Sequence, residues 1–181
     1  MTHDNKLIIY LGPKLLYSVS VNGFQLNKTS KVVLGIAGNK QHIVVVLGEI
    51  DCRVHFVEKT LPFGTKEFDK IAHSYKNSVI KLLNTYWLSR AFIIAPLPPS
   101  NLGLDNPRFP RRGLLRERVL VSKMITESLV RISSFQSTVM DYSPVISNKN
   151  GSLNVKYTND GVHLNFLGLK KLTDNTNFNN L

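Results

Sequence analysis

An α/β fold, with a mainly parallel sheet and helices on both faces, is what this sequence predicts, and two observations lead there. Four apolar, β-favouring runs stand at residues 7–11, 43–47, 91–95 and 138–140, and each is followed by Gly, Pro or polar breakers. Between the later runs, apolar residues recur at helical spacing instead. Parallel neighbours need long crossovers, which a helix fills economically, so strands alternating with helices read as βαβ units.

Taken in order, the run at 7–11 ends at Gly12-Pro13-Lys14, and the run at 43–47 ends at Gly48-Glu49-Ile50-Asp51-Cys52-Arg53. Phe68, Ile71, Ala72, Tyr75, Val79, Leu82, Leu83 and Tyr86 then make one amphipathic stripe, which predicts a helix from Thr65 to about Leu88. The run at 91–95 leads into Pro96-Leu97-Pro98-Pro99, whose prolines stiffen a loop. A second stripe of Leu114, Val121, Ile125, Leu129 and Ile132 predicts a helix over 113–133, entered through an Arg-rich segment whose charges read mostly as a solvated face. In an open α/β sheet ligands bind beyond the carboxyl ends of the strands, so the segments after each run are the ones to search for a site.

Composition narrows the class. The 181 residues suit one domain over 1–173, with an Asn-rich tail at 174–181 expected to fray. Hydrophobic residues make up 43% and charged residues 19%, a globular balance that excludes a wholly disordered chain. The longest purely aliphatic stretch, 43–47, is far below the roughly 18 apolar residues that span a bilayer, and the N-terminus has no signal-peptide layout. The expectation is a soluble cytoplasmic protein with no membrane partner. The single cysteine, Cys52, excludes an internal disulfide, no Cys/His cluster has zinc-ligand spacing, and nothing implies a cofactor. The formal charge of +11 attracts acidic partners at low salt. The basic residues are scattered, however, apart from Arg108, Arg111, Arg112, Arg116 and Arg118, and no nucleic-acid motif stands near them. Nucleic acid is therefore the lesser expectation.

Two segments carry chemistry. In Tyr157-Thr158-Asn159-Asp160-Gly161-Val162-His163-Leu164-Asn165 an Asp stands three residues before a His, on a turn leading into a short helix. A carboxylate there can orient the imidazole and stabilise its protonated form. The same residues also fit a plain Asp/Gly turn before a helix N-cap. In Gly48-Glu49-Ile50-Asp51-Cys52-Arg53 two carboxylates and an arginine gather at a strand end, where they should pair with each other or face a polar cleft. A surface turn with an Asp51–Arg53 ion pair is the alternative, and His55 could face the same cleft.

These two blocks resemble the SGNH/GDSL hydrolases. Asp-Gly-Val-His-Leu-Asn followed by Gly168 is similar to that superfamily's last block, whose Asp and His complete a catalytic triad, so the resemblance places those roles on Asp160 and His163. The run from Gly48 to Arg53 is similar to the Gly-Glu-Ile-Asp-Cys-Arg signature of a bacterial subgroup, where it matches the Gly-x-Asn-Asp block. That implies a substrate or oxyanion wall of Gly48, Glu49, Asp51 and Arg53. Ile50 stands where the family's Asn would donate to the oxyanion, and its side chain has no donor. The resemblance implies a three-layer α/β/α domain with a flavodoxin-like parallel sheet.

The family's Gly-Asp-Ser block, which supplies the nucleophile after the first strand, has no match. Aligning Gly12-Pro13-Lys14 with it puts Lys14 on the serine. From Gly12 to Gly48 there is room for one crossover only, so 7–11 reads as the second strand, with the first strand and its serine missing from the chain. That leaves a gap in the sheet unless another segment fills it or 7–11 shifts inward to pair with 43–47. The resemblance implies an enzyme that hydrolyses or transfers an acyl or acetyl ester of a small molecule or glycan, with no nucleophilic serine found. The alternative is a catalytically silent relative that binds an anionic ligand or glycan.

Overall fold

The structure, a computed structural model, describes residues 7–9, 42–46, 48–85, 90–103 and 110–175. Gly12-Pro13-Lys14, Arg108 and residues 86–88 of the expected first helix lie outside them.

All four apolar runs form strands: β1 (Leu7–Ile9), β2 (His42–Val46), β3 (Arg90–Ile94) and β4 (Ser137–Met140). They make one parallel sheet in the order β1-β2-β3-β4. The register sets Leu7 opposite Ile43, Val45 opposite Ile93 and Ile93 opposite Val139. β1 therefore lies directly against β2, with no strand between them. The reading of 7–11 as a second strand separated from β2 is corrected: of the arrangements open to the sequence, the sheet adopts the inward one, in which β1 closes the gap by pairing with β2.

After β2 come a π-helical turn (Asp51–His55), α1 (Phe56–Lys59) and α2 (Thr65–Thr85); α3 (Leu115–Arg131) joins β3 to β4. α2 starts at the predicted residue, and α3 is trimmed by two residues at each end. The Glu117 carboxylate accepts the Leu114 N–H at 2.6 Å, satisfying a donor at the α3 N-terminus that would otherwise lack a helical partner.

Strands added in one direction with right-handed crossovers put every crossover helix on the same face. Accordingly α2 and α3 pack side by side, tied by the Arg131–Asp69 ion pair and by Lys76 Nζ donating to the Ile132 carbonyl at 2.6 Å. Under them lies the main core, in which Val45, Ala91 and Ile93 of the sheet meet Phe56, Phe68, Tyr75, Val121 and Ile125. Alternation along the strands sends Ile94 and Met140 to the opposite face, where a second cluster forms around Tyr142, Ile146 and Leu153. The chain after β4 supplies that cover through α4 (Ser143–Ile146) and α5 (Phe166–Asp174). Both faces of the sheet are thus covered, which is why its strands read as continuous apolar runs. Among the described residues no helix is long and apolar enough to cross a membrane.

Candidate functional site

The loop holding Asp160 and His163 is built from its own polar side chains. Asp160 Oδ1 accepts the backbone N–H groups of Val162 and His163, each at 2.8 Å, and Oδ2 lies 2.6 Å from His163 Nδ1. The Thr158 hydroxyl donates to the His163 carbonyl at 2.7 Å and accepts the Gly161 N–H at 2.9 Å. Gly161 has φ +77°, and a Cβ there would sit 2.2 Å from the Leu102 carbonyl oxygen. Only glycine lets this loop press against the loop after β3. Asn165 then caps α5, its Oδ1 accepting the Gly168 N–H at 3.0 Å.

Burial works to raise the Asp160 pKa, but the bond to the His163 ring and the two backbone N–H bonds outweigh it and hold the carboxyl at about 2. The folded value lies below the ordinary 3.8, so the carboxylate stabilises the fold above about pH 4. That contribution is lost as the pH falls from 4 through 2. Asp160 is 32% exposed, which screens the effect, so Asp160→Asn is expected to cost on the order of 1–2 kcal/mol at pH 7. Urea midpoints should show this difference shrinking as the pH is lowered from 4 towards 2.

The facing wall rises from the end of β2. Gly48, at φ +96°, turns the chain into a helical segment, and in the π-helical turn the Phe56 N–H donates to the Asp51 carbonyl, five residues back. Such turns are frequent at functional sites. Arg53 meets Glu49 in a fork, Nε to Oε1 at 2.7 Å and Nη2 to Oε2 at 3.3 Å, while its Nη1 donates to the Pro110 carbonyl at 2.6 Å. The arginine's carboxylate partner in this fork is Glu49 rather than Asp51. Asp51 is wholly buried, and neither it nor Gly48 lines the cleft described next. His55 does not line it either; burial, aided by the Lys59 charge and opposed by Glu58, lowers its pKa. Cys52 does reach the cleft, but burial above all, with the Asp51 and Glu49 charges, lifts its thiol well above the ordinary value against an opposing bond from Ser122. A thiol held protonated is a poor nucleophile.

The two walls meet in a narrow cleft at the carboxyl ends of β2 and β3. Glu49 and Arg53 line one side, Gly161 and Val162 another, and the loop of Leu97, Pro98, Pro99 and Ser100 closes it. His163 follows Val162 and is 54% exposed, but neither it nor Asp160 is among the residues that line the cleft. Of the lining residues, only Glu49 and Arg53 were named as site residues from the sequence; Ser100, Arg111 and Arg118 add polar and charged groups that were not. Ser100 is the one hydroxyl among the described lining residues; it is buried, and its Oγ accepts the Leu102 N–H at 2.9 Å. Arg111 and Arg118 come from the Arg-rich segment. The expectation of a solvated face holds for the exposed Arg112 and Arg116, but Arg118 is only 1% exposed. Among the described residues no three His, Cys, Asp or Glu side chains gather so as to hold a metal ion.

No protein-family model matches this sequence, and no curated protein matches it. Solved structures do. A Streptococcus pneumonia protein described as a platelet activating factor superposes with a TM-score of 0.61 at 13% identity, over 96% of this chain and 82% of the other. A GDSL-like lipase from Bacteroides thetaiotaomicron superposes with a TM-score of 0.53 at 16% identity, over 89% of this chain and 68% of the other. At such identities the likeness is one of fold. With a parallel sheet between helical layers and a cleft at the strand ends, the chain shares the α/β/α fold of these two structures, one of them the GDSL-like lipase.

Proposed function

We propose that this chain hydrolyses a small acyl ester, an acetyl ester of a small molecule or glycan being the simplest case, with Asp160 and His163 as the working pair. The observation that carries this reading is the 2.6 Å contact between Asp160 Oδ2 and His163 Nδ1. A carboxylate held ionised by three hydrogen bonds fixes the ring proton on Nδ1, a tautomer inferred from that bond, and leaves the basic lone pair on Nε2. Nε2 then takes a proton from water as the water oxygen attacks the ester carbonyl carbon. Collapse of the tetrahedral adduct breaks the ester C–O bond, and the imidazolium returns the proton to the departing alkoxide, leaving an acid and an alcohol.

Direct attack by water fits a cleft cysteine that is held protonated. The second reading, a silent relative that binds an anionic ligand or glycan, draws on the same cleft. The discriminating experiment is hydrolysis of p-nitrophenyl acetate by wild type, His163→Ala and Ser100→Ala. Turnover that disappears in His163→Ala and survives without a burst of nitrophenol in Ser100→Ala supports the water route. Loss in both, with a burst in wild type, assigns the nucleophile to Ser100. Background rates in all three leave the binding module as the function.

A further inference from the structure

Three arginines face the cleft, and they differ in how their charge is met. Arg53 is neutralised by Glu49. Arg111 meets only neutral acceptors, its Nη1 donating to the Gly103 carbonyl and its Nη2 to the Leu102 carbonyl, each at 2.6 Å. Arg118 is the most buried of the three, and its Nη2 donates to the Asn101 side-chain oxygen at 2.5 Å. Its Nε and Nη1 are buried with no acceptor among the described residues. Among the described residues neither of these two guanidinium groups hydrogen-bonds a carboxylate, although the Glu49 charge acts on both and the Asp160 charge on Arg111, and Arg118 has been taken almost wholly out of water. Burying a charge without a counter-charge costs several kcal/mol, so the arrangement is costly to folding and suited to a ligand. Burial, followed by repulsion from Arg111 and Arg53 and opposed by the Glu49 carboxylate, also lowers the pKa of Arg118.

We propose that Arg111 and Arg118 form a subsite for an oxyanion on the ligand of this cleft, a carboxylate, sulfate or phosphate group drawn by both charges and received by the Arg118 Nε and Nη1 N–H groups that no described protein acceptor takes. Planar guanidinium forks match such groups, and charge-assisted bonds to them are about twice as strong as neutral ones. An uncharged glycan would leave both charges uncompensated. The inference deepens either reading of the cleft by naming the charge of its ligand, and it rests on binding rather than turnover.

The test uses the full chain, with thermal unfolding and calorimetric titration against sodium phosphate, sulfate and acetate, each compared with sodium chloride at equal ionic strength. At least one oxyanion should raise Tm and bind with one-to-one saturation while chloride does not. Phosphate or sulfate ahead of acetate identifies a tetrahedral group, and the reverse order identifies a carboxylate. Arg118→Met, which keeps the bulk and removes the charge, should fold at least as well as wild type without ligand and bind the preferred anion at least about tenfold more weakly. Arg111→Met, at a less buried position, should also weaken binding and serves if Arg118→Met fails to fold. Exposed Arg116→Met should bind like wild type. The proposal is overturned if no oxyanion outperforms chloride, or if Arg111→Met and Arg118→Met respond as wild type does. Equal weakening in Arg116→Met also overturns it, since that is the mark of diffuse attraction to a basic surface, as for nucleic acid. None of these outcomes depends on ester cleavage, so a chain that hydrolyses nothing still tests the subsite. Absence of anion binding, in turn, leaves hydrolysis of a neutral ester untouched.

Discussion

Replacing His163 with alanine is expected to lower kcat/KM for p-nitrophenyl acetate by on the order of 10²–10⁴-fold, and Asp160→Asn by at least about 10²-fold. The first removes the base. The second leaves an imidazole in place but replaces the carboxylate that fixes its proton on Nδ1 and would stabilise the imidazolium. Asparagine can still accept a hydrogen bond, so the loop's shape should survive, whereas the electrostatic help should not. A matched loss in both variants, with Tm kept within a few degrees, assigns the effect to the pair. If Asp160→Asn retains full activity, the 2.6 Å contact is a structural clasp and the proposed mechanism fails.

The largest expected loss of stability lies in the main core, at Phe68. Its ring is fully buried and meets Phe56 edge-on, with centroids 5.4 Å apart and planes at 80°. Phe68 belongs to α2 and Phe56 to α1, and helix backbones cannot collapse far enough to refill a space of that size. Phe68→Ala should therefore cost about 3–5 kcal/mol, a large share of the roughly 5–15 kcal/mol that holds a domain together. Urea unfolding should give a lower midpoint at unchanged slope. A loss below about 1 kcal/mol would mean that this packing is looser than the burial implies. Because Phe56 directly follows the π-helical turn bearing Cys52 and Arg53, the same variant should loosen one wall of the cleft.

The strands were legible because strands buried on both faces read as unbroken apolar runs, and for β3 and β4 the ends moved by one residue at most. α2 was legible from its stripe down to Thr65. The place of β1 was not, since which neighbour a parallel strand takes depends on pairing across the sheet and not on the strand's own residues. The Glu49–Arg53 fork follows from helical spacing, but nothing in a strand-end run announces a π-helical turn. Arg118 left a signal that went unused. It stands four residues after Leu114 and three before Val121, inside the apolar stripe of α3, so the helix's inward face passes through it. Leu114, the first member of that stripe, is 56% exposed instead. Ser100 and Arg111 left no comparable trace, because their place in the cleft depends on loops from different strand ends closing together.

The one-directional strand order has a consequence for the chain as it is synthesised. Residues leaving the ribosome first can complete the sheet and the face covered by α2 and α3, since each element packs on one made just before it. The other face has to wait. Ile94, Leu97 and Met140 stay open to water until the segment carrying Tyr142, Ile146, Leu153 and Leu172 arrives to cover them. Asp160 and His163 travel in that same late segment. A nascent chain halted before it would expose an apolar sheet face prone to aggregation while already holding the arginine side of the cleft, so cover for that face and a complete cleft would be gained in the same stretch of translation.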